Sequence, residues 1–150
     1  MQLDSILSPS RTLCGAPGAS KKRIMENIAH FICEDFPSMN PNQLFDSLIA
    51  RERLGSTGLG QGIAIPHCRI KNCSSIIGSL IKLEQAVDFD AIDGQPVDVM
   101  FVLLVPEQAL DEHLNVLAKL AELFSDPKYC QQLRSATDSK SLFTIATAQH

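Results

Sequence analysis

Two histidines and an arginine are the residues whose types and spacing suggest chemistry. His67 closes the run Gly55-Ser56-Thr57-Gly58-Leu59-Gly60-Gln61-Gly62-Ile63-Ala64-Ile65-Pro66-His67, which holds four of the chain's eight glycines. Glycine accepts backbone angles and close approaches that other residues refuse. Successive N–H groups in such a loop can converge on an anion. A short apolar strand would then carry the chain to the ring, with Pro66 fixing the backbone just before it. A neutral imidazole placed there can attack phosphorus, act as a base or bind a metal. His113 is the second candidate. It falls in the first turn of an expected helix beyond the apolar run Val99 to Val105 and Pro106, and sites in open α/β sheets gather past strand ends. Arg51, four residues before the loop, is the third. A guanidinium can hold phosphoryl oxygens with two parallel donors. Each has an ordinary reading too: a polar residue closing a strand, an exposed residue at a helix start, a solvated cation suited to the negative end of a helix.

Several other chemistries fail on spacing. No Lys-Ser/Thr follows the last glycine, so the loop is not a P-loop. The pattern Gly-x-Gly-x-Gly precedes a strand, which is not the dinucleotide fingerprint. Cys68 adjoins His67, but neighbours on a strand point to opposite faces, so the two do not make a dyad. Cys68 and Cys73 have a spacing that a zinc site tolerates, but no second pair of that kind exists. The five cysteines, Cys14, Cys33, Cys68, Cys73 and Cys130, read as free thiols of a reducing cytoplasm. His30 and His150 are poorly placed to complete a metal site.

The net charge of −4 argues against a sequence-independent grip on nucleic acid. From Leu83 to Ala118 there is no Lys or Arg, while Glu84, Asp88, Asp90, Asp93, Asp98, Glu107, Asp111 and Glu112 are all acidic. Such a rim would steer a basic protein partner. Lys21-Lys22-Arg23 opens a helix, where cations are disfavoured by the dipole, and reads as surface. The first residues lack the basic and apolar segments of a signal peptide. The longest apolar run is far too short to span a membrane.

The elements that must position these residues follow from caps and periodicity. Residues 1–19 form a less regular segment, with a helical turn expected at 3–7 and an edge strand at Thr12–Cys14. Ser20 caps a helix to about Phe36 with Ile24, Ile28, Phe31 and Ile32 inward. Asn40-Pro41 starts a second helix, buried through Leu44 and Leu48, that ends near Gly55. Strands follow at Gly62–Pro66, Ser75–Leu83 and Val97–Val105, the last covered on both faces, with Asp93-Gly94 as a turn between the second and third. A helix from Asp111 or Glu112 to Phe124 buries Leu114, Leu117, Ala118, Ala121 and Phe124. Asp126-Pro127 and Asp138 open two more. The product is one α/β domain over 1–150, a sheet with helices on both faces.

These residues resemble a known family. Arg51-Glu52-x-x-Gly55-Ser56-Thr57-Gly58-x-Gly60-x-Gly62-Ile63-Ala64-Ile65-Pro66-His67 is similar to the active-site signature of the IIA proteins of the bacterial phosphotransferase system, fructose–mannitol class. Phe89-Asp90-Ala91-Ile92-Asp93-x-Gln95-Pro96-Val97-Asp98 and Leu103-Leu104-Val105-Pro106 resemble its nitrogen-regulatory branch. His113-Leu114, with Leu117 and Leu120, is similar to the family's second-histidine helix. The likeness runs from about residue 3 to 148. It implies a single domain with a mixed, mostly parallel β-sheet flanked by helices on both faces. It implies a phosphohistidine at Nε2 of His67, with His113 donating to or orienting the phosphoryl group and Arg51 neutralising it. Gly55, Ser56, Thr57, Gly58, Gly60 and Gly62 would form the phosphoryl-binding loop, with no metal and no cofactor. The donor would be a histidine-phosphorylated HPr-like carrier, charged ultimately from phosphoenolpyruvate in the cytoplasm. Targets such as potassium-transport regulators or sensor kinases would then be regulated by phosphorylation state. The alternative is a fructose- or mannitol-type transport IIA that passes phosphoryl to a IIB protein. Cys68 departs from the pattern, since a small glycine is common there; it would alter access or add thiol sensitivity.

Overall fold

A computed structural model of the chain describes residues 2–71, 73–108 and 112–148, without the side chains of Glu112 and His113. Six strands form one mixed sheet: β1 (Thr12–Ala16), β2 (Gly58–Gly60), β3 (Ile63–Ala64), β4 (His67–Ile70), β5 (Ile77–Val87) and β6 (Val97–Pro106). The order is β1-β5-β6-β3-β2, and β4 continues the β3 side of β6. Three pairings are parallel: β1 with β5, and β3 and β4 with β6. Two are antiparallel, β5 with β6 and β2 with β3.

Among the described residues five α-helices cover the sheet: α1 (Lys21–Glu34), α2 (Pro41–Leu54), α3 (Glu112–Phe124), α4 (Pro127–Arg134) and α5 (Ser139–Thr147). The expected caps are in place. Ser20 accepts from the Arg23 amide, Asn40 from Asn42 and Gln43, Asp126 from Lys128, and Asp138 from Ser141 in a reciprocal capping box. Each satisfies helix N–H groups that have no partner within the helix.

Along β6 the side chains alternate between two cores, as the pleat requires. Met100, Val102 and Leu104 meet Ile24, Ile28, Leu44 and Leu48 of α1 and α2. Phe101, Leu103 and Val105 meet Leu120, Phe124, Leu133 and Leu142 of α3–α5, together with Leu3 and Leu7 of the N-terminal segment. The apolar run in β6 is continuous because both faces are covered.

The structure corrects three expectations. The strand expected at Gly62–Pro66 is only Ile63–Ala64. Pro66 has no N–H for the ladder, its carbonyl accepts from the Leu103 amide at 2.9 Å, and His67 opens β4 rather than closing β3. Second, β5 runs on from Leu83 to Val87, past an irregularity after Lys82, and re-pairs with β6 at Val97. Third, Leu114 is 57% exposed and Ala118 also faces solvent, while Leu120 and Phe124 are buried. Packing of α3 begins at Val116 and Leu117, one turn later than the apolar spacing implied.

Candidate functional site

His67 starts β4, which pairs with β6 past the end of β3, and is half-buried. Both ring nitrogens have protein partners. Nδ1 lies 2.8 Å from the Ile65 carbonyl oxygen, which can only accept, so Nδ1 carries the proton. Nε2 is therefore the nitrogen with the lone pair, and Arg51 Nε donates to it at 3.2 Å. Arg51 extends from the last turn of α2, and its Nη1 donates to the Gly55 carbonyl at 2.9 Å. The main chain of His113 is the second residue of α3; the expected contact of its side chain with the phosphoryl group lies outside the described residues.

The glycine loop is tied down by its own amides. The Gly55 amide donates to the Glu52 carbonyl, Thr57 to the Glu52 carboxylate, Gly58 to Ser56 Oγ and Gln61 to Asp93 Oδ2. These four amides have protein acceptors, and Arg51 Nε donates to Nε2. The glycines answer to close approach and backbone angle. A Cβ on Gly58 would sit 2.9 Å from the Ala91 Cβ. Gly62, at φ +82°, would bring one to 2.6 Å from Arg134 Nη2 and 2.9 Å from Asp98 Oδ1.

The acidic stretch is partly structural. Arg134 donates Nε and Nη2 to the Asp98 carboxylate, with Nη2 also on the Gln61 carbonyl. The Asp98 hydrogen bond raises the Arg134 pKa further. The amides of Gln61 and Gln95 hold the Asp93 carboxyl below the usual carboxylate range. Lys21, expected at the surface, is largely covered. Its Nζ reaches Glu52 Oε2 at 2.8 Å and the Phe89 carbonyl at 3.3 Å, over the Phe89 ring.

Glu52 is the residue whose part sequence reasoning missed. It is 7% exposed, and its carboxylate takes the Thr57 amide and hydroxyl as well as Lys21. The signal was its place four residues after Leu48, on the inward stripe of α2, where a carboxylate needs partners. Cys68 faces the opposite core from His67. It packs in the core under α1 and α2, and burial pushes its thiol pKa up to about 12, away from the thiolate that reacts. Among the described residues no cluster of His, Cys, Asp and Glu could hold a metal ion.

A family model described as the phosphoenolpyruvate-dependent sugar phosphotransferase system, EIIA 2, matches residues 5–148. The chain belongs to this family. It is 47% identical to the nitrogen regulatory protein of Pseudomonas aeruginosa, covering 97% of this chain and 94% of that one. Its fold matches the nitrogen regulatory protein IIA-Ntr from Neisseria meningitidis with a TM-score of 0.85 and 41% identity, over 95% of this chain and 97% of that one. The mannitol IIA protein from Escherichia coli shares the fold at a TM-score of 0.71 and 18% identity, over 88% and 92% of the two chains. The chain is thus an EIIA component similar to nitrogen regulatory proteins, and no helix among the described residues is long and apolar enough to cross a membrane.

Proposed function

We propose that this protein is a cytoplasmic phosphoryl carrier. It would accept a phosphoryl group on Nε2 of His67 from a histidine-phosphorylated HPr-like protein and regulate target proteins by its phosphorylation state. The observation that carries the reading is the division of labour on the ring: Nδ1 bonded to Ile65, Nε2 bare of hydrogen and facing Arg51. A neutral imidazole is the required nucleophile, and no proton has to leave it before attack.

The step balances without a further reactant. The Nε2 lone pair forms the new N–P bond while the N–P bond to the donor's histidine breaks. The donor ring keeps the electron pair. The His67 ring becomes cationic, and the Ile65 carbonyl stabilises it through the retained Nδ1–H. The Arg51 guanidinium leaves Nε2 as phosphorus arrives and moves to the phosphoryl oxygens, whose charge it offsets. Gly55, Ser56, Thr57, Gly58, Gly60 and Gly62 would shape the wall of the pocket, and the family resemblance supports His113 as the second group on the phosphoryl oxygens. The acidic face formed by Asp88, Asp90 and their neighbours would favour a basic carrier. The closeness to nitrogen regulatory proteins, against 18% identity to the mannitol protein, supports the regulatory role over sugar transport.

The test is incubation with phosphoenolpyruvate, enzyme I and the carrier, followed by mass mapping. One acid-labile, alkali-stable phosphoryl group is expected on His67, and none on His67→Ala. Labelling of His67→Ala at the wild-type level would overturn the assignment. Comparing the phosphorylated and free forms as baits against sensor kinases, potassium-transport regulators and a IIB protein separates regulation from transport.

A further inference from the structure

Glu52 sits where two hydrogen-bond paths to the His67 ring begin, and we infer that it is a positioning residue that sets both nitrogens of the nucleophile. This rests on His67 being the phosphoryl acceptor. The first path runs through Thr57. Glu52 takes the Thr57 amide on one carboxylate oxygen and the Thr57 hydroxyl on the other. The carbonyl of Thr57 accepts from the Ile65 amide at 3.0 Å. The carbonyl of Ile65, the same residue, accepts from His67 Nδ1 at 2.8 Å. Ile65 is thereby held at its amide, one Cα away from the carbonyl that selects the tautomer.

The second path runs through Arg51. Fixing Thr57 to Glu52 closes the short segment between them, and the Gly55 amide bonded to the Glu52 carbonyl closes it further. The Gly55 carbonyl in that segment receives Arg51 Nη1, and the same guanidinium presents Nε to His67 Nε2. Moving the segment therefore moves the cation. The two paths converge on a carboxylate that touches neither the ring nor the incoming phosphorus.

A buried anion so close to a phosphoryl site would oppose transfer if left alone. Lys21 removes the difficulty. Its ammonium binds Glu52 Oε2 at 2.8 Å from the first turn of α1 and is held in turn by the Phe89 carbonyl and ring. Ser56 Oγ donates to that same Phe89 carbonyl at 2.7 Å, so the loop, α1 and the segment before β6 are locked together around the Lys21 ammonium, which also pairs with Asp90 at 3.8 Å.

The test uses the full chain and two variants, Glu52→Gln and the near-isosteric Thr57→Val. The first removes the charge, and the second deletes the hydroxyl bond but keeps the Thr57 amide bond and the Lys21 pair, so it serves where the first does not fold. Two readouts are taken: ¹⁵N shifts of the His67 ring nitrogens in the unphosphorylated protein, and the single-turnover rate of phosphoryl transfer from the phosphorylated carrier. Expected are a loss of the pure Nδ1–H tautomer and a transfer rate lowered about tenfold or more, the scale on which small misplacements act. Far-ultraviolet circular dichroism should stay unchanged. Wild-type ring shifts in a folded Glu52→Gln or Thr57→Val protein would overturn the inference. The ring shifts need no phosphoryl transfer, so they judge Glu52 even if wild-type protein takes no label, a result that would instead overturn the proposed function.

Discussion

The two ends of the glycine segment are held by opposite strategies. At the Gln61–Gly62 end, Arg134 and Asp98 clamp the main chain with charged side chains, and Asp93 takes the Gln61 amide. At the His67 end, the Ile65 carbonyl and one guanidinium bond the ring, and the Gly55 carbonyl holds that guanidinium. The first end is fastened by groups that remain engaged whatever happens at the ring. The second holds Arg51 through one carbonyl and one ring nitrogen, contacts that can be exchanged when an anion arrives. A carrier must accept and surrender its cargo, so rigidity belongs on one side and exchangeable contacts on the other.

The largest effect that would sharpen this contrast is expected from Arg51→Ala. It should slow phosphoryl transfer by about 3 kcal/mol in barrier, comparable to losing one oriented donor at a developing anion, with melting temperature nearly unchanged. A stopped-flow transfer assay beside a thermal melt checks both halves.

Gly62→Ala should do the reverse. The positive φ and the contact with the clamped Arg134 should lower stability by about 1–3 kcal/mol, read by urea unfolding. Transfer by the folded fraction should fall far less than in Arg51→Ala. Equal damage to rate and stability in both variants would break the distinction between the two ends.

The smallest effect is in pH. Asp93 has its folded-state pKa depressed by the Gln61 and Gln95 amides. Its contribution is therefore fully present above its unfolded pKa and is lost as pH falls through the lower folded value. As pH falls below about 5, wild type should lose slightly more stability than Asp93→Asn, and above that the difference should be constant.

Much of the frame was legible because caps and periodicity are local signals. Ser20, Asn40, Asp126 and Asp138 cap as read, and the continuous β6 run announced its two cores. The failures came where tertiary partners decide. The break at Pro66 moved His67 to the head of β4, since the ladder on β6 resumes only after the proline. Lys21 turned inward because a buried carboxylate from another helix lay within reach. Of the site, His67 and Arg51 were legible through the loop motif and do meet. The role of Glu52 was not, because its partners, Lys21 and Thr57, come together only in the fold.

The central claim is that fixed hydrogen bonds assign the two ring nitrogens separate tasks. Its most direct measurement is ¹⁵N–³¹P correlation on protein phosphorylated through the carrier. The expected spectrum couples phosphorus to Nε2 of His67 while Nδ1 retains its proton, bonded to Ile65. Coupling to Nδ1, or to a residue other than His67, would contradict the account.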